Sequence, residues 1–398
     1  MVAAVIVVAV ASLAVTVSTA SGAGSVRGFD GTTIKTAGFG DASTYKTAEI
    51  GTEARFKRAN DTNEVKGVKF EYTGWADEKF DPTTALSEAR RLVTQEQVFA
   101  IVPDLSPFNP GEYLNQQHVP YLGWAFDDTY CSNKATTSLY GVGYNGCLVP
   151  KSPPWVPDAY RARYAYVSKL TGKKSPTIAM FSQDNQSGQN SMDILAVAAK
   201  GAGFDVVSAK GNIPATVGDY TPYVQALLTS ANGSAPDFID CELTTQCLPI
   251  LNLLNGSGFK GTFSSPLYTD ILVKPLAGTV ASVSFNVAPN AGLTQMQKDF
   301  DAIKPGANID TLSAGAYFAA DKLIMAAKKV GKSKITPESV QKVLATMTWS
   351  IKGLVGPNQY PASTVGSSPS CQMLMKSDGT KWDPVVSFAC SSKQYKVK

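Results

Sequence analysis

Polar and aromatic side chains follow several apolar segments of this chain, at points where strands are expected to end. The clearest case is the stretch AIVPDLSPFNPGEY, in which an apolar run is followed by Asp104, Ser106, Phe108 and Asn109. Val98 to Val102 has the composition of a strand that is buried on both faces. Small polar groups beside an aromatic ring are suited to holding a small molecule by hydrogen bonds and apolar contact. We therefore expect a ligand-binding site at this strand end.

Similar residues follow other predicted strands in both halves of the chain. The segments are GFGDASTYK and GWAFDD in the first half, and SQDNQSGQN, CELTTQC and SSPLYTD in the second. Because ligands of open α/β sheets bind beside the carboxyl ends of the strands, we expect these segments to meet at one site. A carboxylate is expected at a helix amino end, at Asn109 or after Tyr45. An apolar or aromatic body is expected between the aromatic residues Tyr45, Phe108, Trp124, Phe126 and Tyr268.

Sequence signals of catalysis are weak. The chain contains no G-x-x-x-x-G-K-[ST] segment and no G-x-S-x-G segment. The single histidine, His118, has no clear nucleophile as a partner, and the cysteines include no C-x-x-C pair. We expect no enzyme activity, no metal and no cofactor. An exported hydrolase is the alternative, and a reactive constellation of side chains would be needed to support it.

Length and charge indicate a two-domain globular protein that does not bind nucleic acid. The 398 residues are enough for two cores, and the net charge of +4 comes from scattered Lys and Arg. Residues 1–25 start with an apolar, uncharged run and end in small residues, which is typical of an export signal. A membrane anchor at residues 1–17 is the alternative, although this run is short for a membrane span. We expect an exported monomer.

The six cysteines agree with export into an oxidising compartment. They form three local couples: Cys131 with Cys147, Cys241 with Cys247, and Cys371 with Cys390. Six cysteines allow 15 pairings, and we predict the nearest-neighbour set because it closes short loops. The last couple would then join the two strands of a hairpin, Cys371 to Met375 and Val385 to Ala389.

Strand and helix signals alternate along the chain, which predicts parallel sheets with helices on both faces. Asp81, Asn109 and Asp219 are expected to cap helices, and Pro82 suits a first helical position. The proline-rich segment LVPKSPPWVP interrupts this pattern at residues 148–157. It indicates a connection between two lobes.

The order of these motifs resembles the type I periplasmic-type solute-binding proteins of ABC importers, in the branched-chain amino acid (Leu/Ile/Val-binding) family. The likeness runs from about Thr33 to Phe388 and rests on FDPTTALSEARRLVTQEQVFAIV, VPYLG, IAMFSQDNQSGQ and AGAYFAADKLIMAAKKVG. The resemblance implies an α/β fold of two doubly wound Rossmann-like lobes with parallel central sheets, joined by a three-strand hinge. We accordingly expect lobe 1 at residues 27–150 and 286–350, and lobe 2 at 151–285 and 351–398.

The same resemblance implies capture of a solute between the lobes and its delivery to an ABC transporter permease. The protein would then be located in a periplasm or at the extracellular face of the cytoplasmic membrane. Ligand contacts implied by the resemblance are Tyr45, Leu105 to Phe108, Ala125 to Asp127, Ser187, Thr244 and Leu267.

Two of these positions differ from the amino-acid-binding pattern of the family. Ser187 stands where the family usually has an aromatic residue, and Leu267 stands where amino-acid binders carry an acid for the ligand's ammonium group. Because burial of an unpaired ammonium costs several kcal/mol, we predict an aromatic or hydrophobic carboxylate as the solute. One alternative is an amino acid bound through Asp127 or Glu242, and another is a ligand-sensing receptor domain.

Overall fold

The computed structural model describes residues 26–125, 127–131, 140–144, 146, 155–359, 371–390 and 394–396. Residues 1–25, Phe126 and Cys147 lie outside the described residues, so the export signal, the contact at Phe126 and the pairing of Cys131 with Cys147 stay predictions. Within the described part, no helix has both the length and the apolar character needed to cross a membrane.

The first lobe is built on a five-stranded sheet in the order β2-β1-β3-β4-β5, with every neighbouring pair parallel. Its strands are β1 Thr33–Gly40, β2 Lys69–Asp77, β3 Ala100–Asp104, β4 Tyr121–Gly123 and β5 Gly141–Gly143. The helices between them are α1 Ala42–Tyr45, α2 Glu49–Asp61, α3 Pro82–Thr94 and α4 Gly111–Gln116.

The second lobe contains a seven-stranded sheet, of which five strands lie in the next part of the chain. The strands of this part are β6 Trp155–Pro157, β7 Thr177–Gln183, β8 Asp205–Ile213, β9 Phe238–Glu242, β10 Thr262–Ser265 and β11 Val280–Val283. Its helices are α5 Asp158–Thr171, α6 Gln186–Gly201, α7 Thr221–Leu228 and α8 Cys247–Gly256. Strands β8-β7-β9-β10-β11 are mutually parallel.

The chain then returns to the first lobe and crosses back once more. In the described part of the chain three helices follow β11, and the longest of them packs on α2 and on strands β3 and β4. They are α9 Ala291–Asp301, α10 Thr311–Val330 and α11 Pro337–Leu344. The last strands are β12 Thr348–Ile351, β13 Val355–Gln359, β14 Cys371–Ser377, β15 Trp382–Cys390 and β16 Gln394–Lys396. The chain therefore passes between the lobes three times, and the predicted two-lobed α/β fold is confirmed.

The tail completes the second sheet as an antiparallel hairpin. Strand β14 pairs with β11, and β15 pairs with β14. Two small antiparallel sheets, β12-β13 and β6-β16, lie outside the two main ones. The residue boundaries predicted for the lobes stay a prediction.

Helix capping follows the sequence at some positions and departs from it at others. Asp81 caps α3 by accepting from the Thr84 amide at 2.6 Å, with Pro82 at the first position as predicted. The predictions for Asn109 and Asp219 are wrong. Helix α4 has Pro110 at its N-cap and α7 has Tyr220, neither with a side-chain capping bond.

Both mispredicted residues bind elsewhere instead. Asn109 donates to the Thr129 hydroxyl at 3.2 Å, so its amide joins two loops rather than ending a helix. Asp219 accepts from the Thr221 amide at 2.8 Å, which makes a turn before the helix.

Candidate functional site

A cavity of about 210 Å³ lies between the two lobes, at the carboxyl ends of strands from both sheets. The first lobe contributes Tyr45, Pro107, Trp124, Ala125 and Tyr144, which follow β1, β3, β4 and β5, and Thr311 at the start of α10. From the second lobe come residues after β7, β9, β10 and β11, together with α5, among them Gln183, Asn185, Ser187, Thr244, Pro266, Ser284, Tyr160 and Arg163. This is where open α/β sheets hold ligands.

The two lobes contact each other around the cavity through hydrogen bonds of side chains and of the backbone. The Tyr45 hydroxyl lies 3.4 Å from the Thr244 hydroxyl, with one residue from each lobe. At the rim, the Thr311 amide donates to the Tyr268 carbonyl at 3.1 Å, and the Tyr268 amide donates to the Thr311 hydroxyl at 3.1 Å. The described arrangement is therefore one in which the lobes are closed on each other.

Aromatic rings form the first lobe's side of the cavity. The Trp124 and Tyr144 ring centroids are 6.1 Å apart with an edge-on arrangement, and Tyr144 contacts Phe318 of α10 at 5.4 Å. Trp124 fits because α10 carries Gly315 there, where an added Cβ would come within 1.9 Å of the indole nitrogen. Burial raises the pKa of Tyr144 to about 12, so its hydroxyl keeps its proton. These rings offer a flat apolar surface with polar tips.

A buried arginine forms the floor of the second lobe's side. Arg163, on α5, donates through Nη1 to Glu242 Oε1 at 2.6 Å, and its Nη2 lies 3.1 Å from Asp240 Oδ2. The arginine side chain is 3% exposed and that of Asp240 is 0% exposed, whereas the Glu242 side chain keeps 20%. Tyr164 and Ser264 also donate to Asp240, the former at 2.5 Å. Asp240 is therefore supplied with three donors, and Glu242 with one.

The ionisation of this pair follows from burial and charge. Burial opposes the charge of Arg163, but Asp240 and Glu242 hold its pKa well above the usual value. Burial raises the pKa of Glu242, and the Asp240 charge adds to this rise while Arg163 opposes it. Glu242 is thus a carboxylate whose charge is only partly compensated, in the wall of a cavity.

The start of α6 brings hydrogen-bond donors to the same cavity. Asn185 caps the helix by accepting from the Gly188 amide at 2.7 Å, and Ser187 and Gly188 line the cavity beside it. The Asn185 amide nitrogen Nδ2 is buried and has no hydrogen-bond partner among the described residues. Gly188 is required because an added Cβ would lie 1.9 Å from the Gln183 carbonyl oxygen. Unpaired donors at a helix amino end favour an anionic group.

Six of the predicted contact residues line the cavity: Tyr45, Trp124, Ala125, Ser187, Glu242 and Thr244. The structure brings them together from four different strand ends, those of β1, β4, β7 and β9, as the sheet-edge pattern predicted.

Six others lie outside the cavity lining: Leu105, Ser106, Phe108, Asp127, Leu267 and Tyr268. Each has a local role in the described residues. Leu105 is buried in the core, and the Ser106 hydroxyl accepts from the Phe108 amide at 3.0 Å. Asp127 accepts from the Thr129 amide at 2.8 Å, and the Leu267 amide donates to the Ser265 hydroxyl at 3.2 Å.

The two aromatic members of that group pack against other rings. Phe108 contacts Phe80 edge-on at 6.4 Å, and Tyr268 contacts Trp382 at 5.6 Å. Adjacent sequence positions therefore supply the lining instead, with Pro107 in place of Phe108 and Pro266 in place of Leu267.

The main residues that sequence reasoning missed are Tyr144, Tyr160, Arg163, Ser282 and Ser284, whereas Gln183 and Asn185 lie in the predicted segment SQDNQSGQN. Arg163 lies in the segment DAYRARYAYVSKL, whose charges look like those of an ordinary surface helix. Only the packing of α5 against the second sheet turns this arginine inward. Tyr144 follows β5 and Ser284 follows β11, and their hydroxyls are 2.6 Å apart. Both are polar or aromatic residues directly after a strand, so the strand-end rule could have found them.

Two of the predicted disulfides are confirmed: Cys241–Cys247 and Cys371–Cys390. The first closes the loop that carries Glu242 and Thr244. Within the described part of the chain, no group of His, Cys, Asp and Glu side chains is arranged to hold a metal ion.

A family model described as "Periplasmic binding protein" matches residues 35–378. The chain belongs to this family. Its two lobes, parallel sheets and interlobe cavity agree with that assignment, and the resemblance to type I solute-binding proteins of ABC importers is confirmed. A search of curated proteins found no match.

Solved structures of the same fold are described with different kinds of solute. An ABC transporter solute-binding protein from R. palustris in complex with 4-hydroxybenzoate has 18% sequence identity and a TM-score of 0.67, over 91% of this chain and 98% of that one. The branched-chain amino acid transporter substrate-binding protein of Streptococcus pneumoniae in complex with isoleucine has 17% sequence identity and a TM-score of 0.67, over 91% of this chain and 99% of that one. A fatty acid ABC transporter substrate-binding protein from Thermomonospora curvata has 17% sequence identity and a TM-score of 0.69, over 92% of this chain and 94% of that one. At these identities the likeness shows the fold, and the solute must be inferred from the cavity.

Proposed function

We propose that this periplasmic binding protein captures a small aromatic or hydrophobic carboxylate between its lobes and delivers it to the permease of an ABC transporter. It acts outside the cytoplasm, in a periplasm or at the extracellular face of the membrane, as a monomer. The observation that carries the proposal is the interlobe cavity, with aromatic rings on one side and hydrogen-bond donors on the other.

The aromatic side supports a flat apolar solute. Tyr45, Trp124 and Tyr144 all come from the first lobe, and they stand where a ring could pack face-on or edge-on. Offset or edge-on ring pairs contribute about 0.5–1.5 kcal/mol beyond the burial of their area. A solute held by these rings would be drawn into the first lobe before closure.

The second lobe supports a carboxylate at the start of α6. Ser187 and the unpartnered Asn185 Nδ2 are donors in the cavity wall, at the amino end of a helix of 16 residues. A carboxylate placed there would contact the second lobe while its ring contacts the first. Closure would then be stabilised because only the closed form makes both sets of contacts.

An amino acid is the second candidate, and one observation favours it. Glu242 lines the cavity, so an acid is present for an ammonium group even though Leu267 replaces the acid expected at its own position. Asp127, the other acid considered, lies outside the cavity lining.

Titration of the purified protein with benzoate, 4-hydroxybenzoate, phenylalanine and isoleucine, followed by calorimetry, tests the proposal. We expect micromolar or tighter binding of at least one aromatic acid and weaker binding of isoleucine. Trp124→Ala should weaken binding of the aromatic acid about 10-fold or more, because a buried ring contact is lost.

Trp75→Ala is the matched control, since Trp75 is a half-buried indole of the first lobe that lies outside the cavity lining. It should leave the affinity unchanged. Equal affinity in Trp124→Ala and wild type, or isoleucine as the preferred solute, would contradict the proposed solute class.

A further inference from the structure

The charges around Arg163 do not balance within the protein. One guanidinium faces two carboxylates, Asp240 at 3.1 Å and Glu242 at 2.6 Å. Asp240 is fully buried and takes additional hydrogen bonds from Tyr164 and Ser264. The negative charge that is left over therefore belongs to Glu242, the acid that keeps exposure to the cavity.

The groups around Glu242 offer no second cation among the described residues. Asp240 lies two residues away on the same strand, β9, and α5 brings Arg163 and Tyr160. From the neighbouring strand β7, the Ser182 hydroxyl donates to the Glu242 carbonyl at 3.2 Å rather than to its carboxylate. From β11, Ser282 lies 3.4 Å from Arg163 Nη1. Glu242 thus retains capacity to accept a hydrogen bond from the cavity side.

Resting on the proposed function, we propose that Glu242 binds a hydrogen-bond-donating group of the solute, a hydroxyl or an ammonium. The protein then selects aromatic carboxylates that bear such a group over those that lack it. Arg163 is a positioning residue: it holds the Glu242 side chain in place, while the charge of Arg163 is neutralised by Asp240.

A solute carboxylate at this point is disfavoured for the same reason. It would face the surplus charge of Glu242 in a buried site, where like charges repel more strongly than in water. The ring and the carboxylate of the solute are accounted for by the first lobe and by the start of α6. Glu242 therefore binds a third group of the solute, the hydrogen-bond donor.

The test uses matched pairs of probes: 4-hydroxybenzoate against benzoate, and phenylalanine against phenylpropionate. Wild-type protein should bind the donor-bearing member of at least one pair about 10- to 100-fold more tightly, as expected for a hydrogen bond to a charged group. In Glu242→Gln that preference should fall to a few-fold or less, with benzoate or phenylpropionate bound no worse than by wild type.

Glu64→Gln is the control, because Glu64 pairs with a buried arginine in the same way and lies outside the cavity lining. It should keep the wild-type preference. The pH dependence is a second readout. Because burial raises the pKa of Glu242, affinity for the donor-bearing acid should decline as the pH is lowered from about 8 to about 5. This decline should vanish in Glu242→Gln.

Equal binding of the paired probes by wild type, or an unchanged preference in Glu242→Gln, would overturn the inference while leaving the proposed function in place. An affinity that rises on acidification would overturn it too, since it would mean that a carboxylate sits against protonated Glu242. Failure of all aromatic acids to bind would overturn both the proposed function and the inference.

Discussion

Two buried arginines, one in each lobe, are bound in nearly the same way. Arg55 pairs with Glu64 at 2.8 Å and with Asp321 at 2.6 Å, and its side chain is 2% exposed. Arg163 pairs with Glu242 and Asp240 and is 3% exposed. In each case an aromatic donor also reaches the more buried acid, the Trp349 indole at 2.8 Å for Asp321 and the Tyr164 hydroxyl at 2.5 Å for Asp240.

The difference lies in where the less buried acid is exposed. Glu64 has 19% of its side chain exposed, outside the cavity lining, whereas Glu242 has 20% exposed in the cavity wall. Arg58 also comes within 3.9 Å of Asp321, which brings a second cation to the first cluster. The same ion-pair arrangement therefore serves stability in one lobe, and in the other it presents a charge to whatever enters the cavity.

Loss of either arginine should have the largest effect. Arg55→Met removes the closest cation from Glu64 and Asp321, and Arg163→Met removes it from Asp240 and Glu242. We expect each variant to lower the free energy of unfolding by about 3–5 kcal/mol. Urea denaturation would measure this. Only Arg163→Met should also lose the preference for 4-hydroxybenzoate over benzoate. Equal loss of that preference in both variants would mean that the two clusters do not differ in function.

A third buried acid shows what happens without an arginine. Glu78 is fully buried, and neither carboxylate oxygen has a hydrogen-bond partner among the described residues. Burial, with added repulsion from Asp41, Asp104 and Asp77, raises its pKa to about 8.

A raised carboxyl pKa in the folded state means that this group stabilises the protein less as the pH increases from its ordinary pKa of 4.5 towards 8. Glu78→Gln should remove that dependence and be more stable than wild type at pH 8, by roughly 2 kcal/mol. The two proteins should differ little at acidic pH. Urea titrations at both pH values would measure it, and lower stability of the variant at pH 8 would show that Glu78 has a compensating partner.

A comparably small effect is expected from loss of the Cys241–Cys247 bridge, which has no counterpart beside Arg55 among the described residues. Cys241→Ser combined with Cys247→Ser should cost roughly 2 kcal/mol of stability. Because the bridge spans the Glu242 loop, it should also reduce the preference for donor-bearing acids a few-fold. Calorimetry on the double variant would detect this, and an unchanged preference would indicate that Arg163 alone fixes Glu242.

The fold and part of the site follow from the sequence, because they depend on local patterns. The strand-end rule identified Tyr45 and Trp124 as cavity residues, and the Asp81–Pro82 start of α3 was predictable from helix capping. Phe108 and Leu267 were predicted as contacts but lie outside the cavity lining, where Pro107 and Pro266 stand instead. The sequence does not reveal which of two neighbouring loop residues points into the cavity. Arg163 could not be found at all, because only tertiary packing decides whether an arginine on a helix faces solvent or a cavity.

Native mass spectrometry of the purified protein, followed by denaturation and identification of the released molecule, is the most direct test of the central claim. The structure of the cavity predicts an aromatic carboxylic acid that carries a hydroxyl or ammonium group. Release of an aliphatic amino acid, or of a solute without a carboxylate, would contradict it.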